Sequence, residues 1–210
     1  MIRVLIADDH AIVRRGLRQI LQDLPGVDGI DEAVNGQEAL SRVRKNAYDL
    51  VLLDISMPDS SGLDVLKQIK AERPKLPVLM LSMHPEEQYA VRALKAGAAG
   101  YLTKETAPEQ LVTAVNKILQ GGRYVSEVLA EHMASQLDRA GNRLPHEDLS
   151  DREFQIMRML AAGKTVTEIG MELSLSAKTV STYRTRVLSK MGFSNNADIT
   201  RYAIQNQLLD

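Results

Sequence analysis

Leu50-Val51-Leu52-Leu53-Asp54-Ile55-Ser56-Met57-Pro58 runs four apolar residues into a carboxylate and then breaks at a proline. So short and purely apolar a run reads as a strand covered on both faces, the kind found at the centre of a parallel sheet. A solitary acid ending such a strand costs solvation unless it is paired. Two further runs end alike: Arg3-Val4-Leu5-Ile6-Ala7 leads into Asp8 and Asp9, and Gly100-Tyr101-Leu102-Thr103 leads into Lys104. In a parallel α/β sheet all strand carboxyl ends lie on one rim, where sites are built. The four charged residues would then converge. Three acids and one ammonium about a point make a site for a divalent cation and a phosphoryl group.

The rest of the first half agrees with such a sheet. Strand-like runs lie near 3–7, 29–34, 50–53, 77–82 and 100–103, separated by amphipathic stretches near 11–24, 36–45, 61–72, 86–96 and 108–120. Alternation of this kind signals a parallel sheet with helices on both faces. Pro58 and Gly62 bracket a loop after Asp54, Pro74 and Pro77 end the third helix, and Gly121-Gly122 closes the fifth. A helix is expected over 123–138, where Val125, Leu129, Met133 and Leu137 recur every fourth residue. Asp138 to His146 reads as a flexible linker.

The tail is helical only. Ser150 with Glu153 and Thr165 with Glu168 match the capping box, in which side chains satisfy the free amides of a helix start. Ser176 caps a third helix running to Met191 and closed by Gly192, and a fourth spans Ala197 to Asn206. Helices at 166–173 and 177–190, joined by Ser174-Leu175-Ser176, make a helix-turn-helix, whose second helix enters the DNA major groove. From Ser174 to Lys190 the chain holds Lys178, Arg184, Arg186 and Lys190 and no acid. Charge alone favours an ordinary solvated face; charge on the second helix of this motif favours DNA. On the last helix, Ile199, Tyr202, Ala203 and Ile204 suit a dimer face or the small domain's own core.

Composition bounds the remaining classes. With 210 residues, 44% of them hydrophobic, the chain can bury one or two cores. No apolar run approaches the ~20 residues of a membrane span, and two acids interrupt the start too early for a signal peptide. The absence of cysteine excludes disulfides and thiolate metal sites, and the four histidines lack HExxH-like spacing. A cytoplasmic protein without membrane partners is expected.

Residues 1–121 resemble a two-component receiver domain. The likeness rests on Asp8-Asp9 after the first strand, Asp54 within Leu52–Pro58, Ser82 ending the fourth strand and Lys104 ending the fifth. Residues 149–210 resemble the LuxR-type helix-turn-helix, on Leu149-Ser150-Asp151-Arg152-Glu153, Ala161-Ala162-Gly163 and Leu175-Ser176-Ala177-Lys178-Thr179-Val180. Residues 122–148 are the linker between them. The pair in this order is the architecture of NarL/FixJ-class response regulators. It implies a doubly wound, flavodoxin-like five-stranded receiver followed by a small all-α four-helix DNA-binding domain.

The resemblance implies that a sensor histidine kinase passes a phosphoryl group to Asp54, and that a dimer then binds double-stranded DNA to regulate transcription. RNA polymerase is a further partner that this resemblance implies. Asp9 and Asp54 would ligate Mg²⁺, Asp8 would act through a bound water, and the Ser56 carbonyl would complete the protein ligands. Lys104 and the Ser82 hydroxyl would hold phosphoryl oxygens, Ser82 and Tyr101 would form the switch, and Ser56 and His84 would lie near the water that slowly hydrolyses the acyl phosphate. Beyond phosphorylating and dephosphorylating itself, the chain is not expected to be an enzyme.

In this family the residues just after Thr179-Val180 face the groove, here Ser181, Thr182 and Thr185. Ser181 stands where members often carry Lys, and Tyr183 where His is frequent. Lys178, Arg184, Arg186 and Lys190 suit phosphate contacts, which fix register without reading bases. Two other readings stay open: a constitutive DNA-binding protein whose receiver serves only protein contacts, and a haloacid-dehalogenase-like phosphatase. The second also uses an Asp nucleophile at a strand end, but it needs an acid two residues on, where this chain has Ser56.

Overall fold

The computed structural model describes residues 1–58, 60–83, 85–138 and 144–209. They form two compact units, Met1–Gln136 and Leu137–Asp210. In the first, β1 (Ile2–Ala7), β2 (Val27–Ala33), β3 (Leu50–Asp54), β4 (Val78–Ser82) and β5 (Gly100–Thr103) alternate with α1 (Ala11–Gln22), α2 (Gly36–Lys45), α3 (Gly62–Glu72), α4 (Glu86–Lys95) and α5 (Ala107–Leu119). The strands are all parallel in the order β2-β1-β3-β4-β5, the doubly wound order in which β1 and β3 flank the topological switch point. The apolar runs read as central strands are central: every residue of β3 and β4 is buried.

Strand alternation sorts the core into two layers. Val4, Ile6, Leu50, Leu52, Leu79, Leu81 and Leu102 join Leu17 and Leu21 of α1 and Leu111 and Val115 of α5 in one cluster. The intervening residues, Leu5, Val51, Leu53, Met80 and Tyr101, are fully buried on the opposite face. There α2 packs on α3 and α3 on α4.

The helix expected over 123–138 begins only at Glu127, as α6 (Glu127–Asp138). Tyr124 instead makes a parallel bridge to Gly100, its amide donating to the Ala99 carbonyl at 2.8 Å. Edge strand β5 offers unpaired backbone groups there, and pairing with them outcompetes an extra helical turn that would begin without a cap. Ser126 then caps α6, its hydroxyl accepting from the Leu129 amide at 3.1 Å and donating to the Glu86 carboxylate. Of the stretch expected as a linker, residues 139–143 lie outside the described residues, and Pro145–Asp148 form a short 3-10 helix.

The second unit contains α7 (Asp151–Ala161), α8 (Val166–Glu172), α9 (Ala177–Met191) and α10 (Asn196–Gln205). Both expected capping boxes form, at Ser150/Glu153 and Thr165/Glu168, and a third, Asn195/Asp198, caps α10. Asn with Asp three residues on does the same chemistry as Ser with Glu. Phe154, Met157, Leu160, Ile169, Val180, Val187, Ile199 and Ala203 make the core. Ile199 and Ala203 are therefore packing residues, and of the suggested dimer face only Ile204 is largely exposed, at 63%. The turn between α8 and α9 is closed by the Leu175 amide on the Gly170 carbonyl at 2.8 Å. A Cβ at Gly170 would stand 2.7 Å from the Leu175 carbonyl oxygen, so the tight turn requires glycine.

Glu153 does more than cap. Lys190 Nζ, at the end of α9, reaches its carboxylate at 2.6 Å, tying α9 to the start of α7. Burial alone would raise this carboxyl, but hydrogen bonds from Lys190 and the Ser150 amide hold it below its ordinary value of 4.5. A depressed acid contributes stability that is present above its unfolded value and is lost as pH falls through the folded one. Glu153→Gln, which keeps the cap but not the ion pair, should cost about 1–2 kcal/mol at neutral pH. The gap to the native chain should close below about pH 4.5. Thermal unfolding of both chains against pH measures this; a gap that is the same in acid and at neutrality would remove the pair from the account.

Candidate functional site

The switch point brings the acids together. Asp54 ends β3, and Asp8 follows β1, whose Ala7 is in register with Leu53. Both carboxylates are fully buried, while Asp9, one residue on, is 31% exposed. Lys104, just beyond β5, buries its stem and places Nζ 2.7 Å from Asp54 Oδ2 and 2.8 Å from Asp8 Oδ2. Its amide donates to the Ser82 carbonyl at 2.7 Å, fixing where the side chain starts. The Ser56 amide donates to Asp54 Oδ1 at 3.2 Å, and the His10 amide donates to Asp8 Oδ1 at 2.8 Å. Arg14 of α1 donates to the Asp8 carbonyl at 2.7 Å and is itself held by Glu32.

The loop carrying Ser56 folds back tightly. Ser56 and Ser61 pair as an isolated antiparallel bridge, and the Gly62 amide donates to the Ile55 carbonyl at 2.8 Å. A Cβ on Gly62 would lie 2.0 Å from the Asp54 carbonyl oxygen. The start of α3 thus presses on the backbone of the acid residue itself.

The site is short of positive charge. Burial pushes the Asp54 carboxyl above its usual range; Lys104 opposes this and the Asp8 charge adds to it. The Lys104 ammonium also pays for burial, yet Asp54 and Asp8 together hold it above its ordinary value. The Lys104 ammonium, shared with Asp54, is the ion-pair partner of Asp8 Oδ2, a fully buried carboxylate oxygen. Ligand atoms of Asp8, Asp9, His10 and Asp54 all lie within 4.8 Å of one another. An oxygen-rich, under-neutralised cluster of this size fits a hard divalent cation such as Mg²⁺.

Ser82 and Tyr101 are fully buried on the sheet face toward α3 and α4, Met80 pairing with Tyr101 and Ser82 with Thr103. His84 lies outside the described residues. The residue that sequence reasoning missed is His10, whose Nδ1 is 2.8 Å from Asp9 Oδ1 and 3.3 Å from Asp8 Oδ1. The signal was a histidine directly after an acid pair, a spacing unlike HExxH.

On α9 one stripe is exposed, comprising Lys178, Ser181, Thr182, Thr185 and Arg186, while Val180, Val187 and Met191 face the core. Thr182 and Thr185 donate their hydroxyls to the Lys178 and Ser181 carbonyls at 3.0 and 3.1 Å, and Thr179 shares a hydrogen bond with Ser176 at 2.8 Å. Arg186 lies over the Tyr183 ring, 5.8 Å from its centroid. Two of the four expected phosphate-facing cations are engaged within the unit: Arg184 on Asn196 Oδ1 at 2.6 Å and Lys190 on Glu153. Lys178 and Arg186 flank the Ser181–Thr185 stripe.

Residues 4–116 match the family described as response regulator receiver domain, and residues 147–203 match the bacterial regulatory proteins of the luxR family. The chain is a response regulator. This response regulator is 40% identical to the response regulator UvrY of Escherichia coli K12 over 209 residues, 99% of this chain and 96% of that one. It is 33% identical to the response regulator GacA of Pseudomonas aeruginosa over 211 residues, 100% of this chain and 99% of that one. The solved structure of RcsB from Salmonella enterica serovar Typhimurium, bound to promoter rprA in the presence of the phosphomimetic BeF₃⁻, aligns with a TM-score of 0.66. Their identity is 27%, and the alignment covers 96% of this chain and 97% of that one. Members of this family are transcription factors rather than enzymes, and this response regulator regulates transcription through its LuxR-type domain. No described helix of it is long and apolar enough to cross a membrane.

Proposed function

We propose that Asp54 accepts a phosphoryl group from a phosphohistidine of a sensor kinase, and that the phosphorylated chain dimerises and binds double-stranded DNA through α9. The observation that carries this is the Lys104 ammonium lying within 2.8 Å of both the Asp8 and the Asp54 carboxylate at the switch point of the sheet. An Asp54 oxygen attacks phosphorus, a P–O bond forms, the P–N bond breaks, and its electron pair leaves with the imidazole nitrogen. Two anions meet in this step, so positioning and electrostatics supply the catalysis. Lys104 receives the phosphoryl oxygens with a compact charge, and the Ser82 hydroxyl donates to another. Asp8, Asp9, Asp54 and the Ser56 carbonyl would hold Mg²⁺, which supplies positive charge against the carboxylates and the incoming phosphoryl group. Ser56, where a phosphatase of this type keeps its general acid, leaves only slow hydrolysis of the acyl phosphate.

Ser82 and Tyr101 share one buried sheet face, which supports reading them as the couple between phosphate and the α4–β5 surface. Phosphorylated Ser82→Ala should still carry its phosphate but dimerise at least about tenfold more weakly, since ~5.5 kcal/mol of differential binding is needed for a full 1:99 to 99:1 shift. Sedimentation of both phosphoproteins decides it; equal dimer affinities would refute the route.

On DNA, Lys178 and Arg186 meet phosphates and Ser181, Thr182 and Thr185 face bases, with Thr179, Arg184 and Lys190 at the margins of the surface. A promoter-bound dimer, working in the cytoplasm, also meets RNA polymerase. The test is DNA affinity against salt, with and without beryllium fluoride and Mg²⁺. The mimic should tighten binding. Arg186→Ala should lower the salt slope by about 0.9 on every duplex, and Thr182→Ala should change which duplex is preferred. Binding that ignores the mimic would favour the constitutive alternative; variants that bind every duplex like the native chain would remove α9 as the reader.

A further inference from the structure

Among the described residues, His10 is the member of the candidate ligand group that brings nitrogen to an otherwise all-carboxylate set. Its Nδ1 lies 2.8 Å from Asp9 Oδ1 and 3.3 Å from Asp8 Oδ1, and it shares with Asp8, Asp9 and Asp54 a sphere in which every ligand atom is within 4.8 Å of the others. The ring is 58% exposed, so it can rotate, while its backbone is anchored by the amide hydrogen bond to Asp8. Beside it the buried Asp8 Oδ2 has only the Lys104 ammonium that it shares with Asp54 to offset its charge among the described residues. We infer that His10 is a further metal ligand, and that it raises the affinity of this site for first-row transition ions above its affinity for Mg²⁺.

The chemistry follows from ligand type. A neutral imidazole carrying its proton on Nε2 presents the Nδ1 lone pair to the space between Asp9 and Asp8, replacing one hydrogen bond with one coordinate bond. Mg²⁺ takes oxygen ligands and retains its waters, so it gains little from that nitrogen. Imidazole suits the later ions, and affinity for a mixed nitrogen and oxygen site rises from Mn²⁺ through Co²⁺ to Ni²⁺. The contribution of His10 should therefore be near nil for Mg²⁺ and grow along that series. Mg²⁺ would still fill the site wherever it is in large excess, so His10 sets a preference among ions and leaves the role of Asp54 unchanged.

This inference rests on the proposed metal site, and the experiment separates the two. The full chain and His10→Asn are titrated calorimetrically with Mg²⁺, Mn²⁺, Co²⁺ and Ni²⁺, each ion also in competition with Mg²⁺ so that only the shared site is counted. His10 is the N-cap of α1, a position that asparagine fills well, so the variant keeps its fold. Expected is a loss of about tenfold or more for Ni²⁺, with smaller losses for Co²⁺ and Mn²⁺ and almost none for Mg²⁺. Pulsed electron paramagnetic resonance of bound Mn²⁺ should show nitrogen modulation in the native chain that disappears in His10→Asn. Equal losses for all four ions would overturn the inference, because His10 would then only orient Asp9. Unchanged affinities, or no nitrogen modulation in the native chain, would overturn it too. A native chain that binds none of the four ions would instead sink the metal site itself.

Discussion

Asp54→Ala, incubated with acetyl phosphate and Mg²⁺, gains no phosphoryl mass, whereas the native chain gains one phosphoryl group. The expectation rests on how differently the three acids are placed. Asp9 is a third exposed and paired with His10. Asp8 is buried, with one oxygen on the His10 amide and the other against Lys104. Asp54 is buried beside the same ammonium, 2.7 Å from its Oδ2, with the Ser56 amide on its Oδ1, and of the three acids it alone lies within a strand, as the last residue of β3. A phosphoryl group arriving there meets a charge already in position. Mass spectrometry of the two chains decides the assignment, and an undiminished adduct in Asp54→Ala would move the acceptor elsewhere. Asp9→Ala should also phosphorylate poorly, through lost Mg²⁺ affinity. Asp8→Ala should cost less if its oxygen reaches the ion through water. Magnesium titration of the variants ranks them.

The second large effect is expected at a residue without a side chain. Gly62→Ala puts a Cβ 2.0 Å from the Asp54 carbonyl oxygen and 2.7 Å from the Ile55 Cα. Both obstacles are backbone, so neither can swing aside. Ile55 and Ser56 on one side and Ser61 on the other, tied by the Ser56–Ser61 bridge, must then shift together. Overpacking of this kind costs about 3 kcal/mol at the upper end of its usual range, which lowers the melting temperature by roughly 10 °C for a unit of this size. The displaced loop also carries the Ser56 amide away from Asp54, so phosphorylation by acetyl phosphate should slow along with the loss of stability. Thermal unfolding and the phosphorylation rate of the full chain are the measurements. A variant as stable and as reactive as the native chain would mean that α3 does not press on the acid strand as described.

Gly62 also shows how far a residue pattern reaches. Beside Pro58 it reads as loop punctuation, which it is; that it is sterically obligatory follows only from α3 lying against the β3 backbone. The four residues at strand ends behave in the opposite way. Their convergence could be argued from the sequence because strands in a parallel sheet end on one rim, whatever their order. His10 fell through because its relevance depends on the direction of α1's first turn rather than on any spacing. On α9 the cations were countable in advance. Which of them are spent internally was not: Lys190 and Arg184 find Glu153 and Asn196, 37 and 12 residues away.

The sequence by itself determined what is local and periodic. Apolar runs of four or five residues marked the central strands, amphipathic stretches marked the helices, and the Ser150 and Thr165 capping boxes marked two helix starts, because each of these is a free-energy preference of neighbours along the chain. Tertiary structure alone decided the pairing order β2-β1-β3-β4-β5, the capture of Tyr124 by the edge of β5, the burial of Ser82 and Tyr101 on one face, and the enclosure of Asp54 beside Lys104. Each of these depends on which distant groups exclude water from one another, and no window along the chain contains both partners.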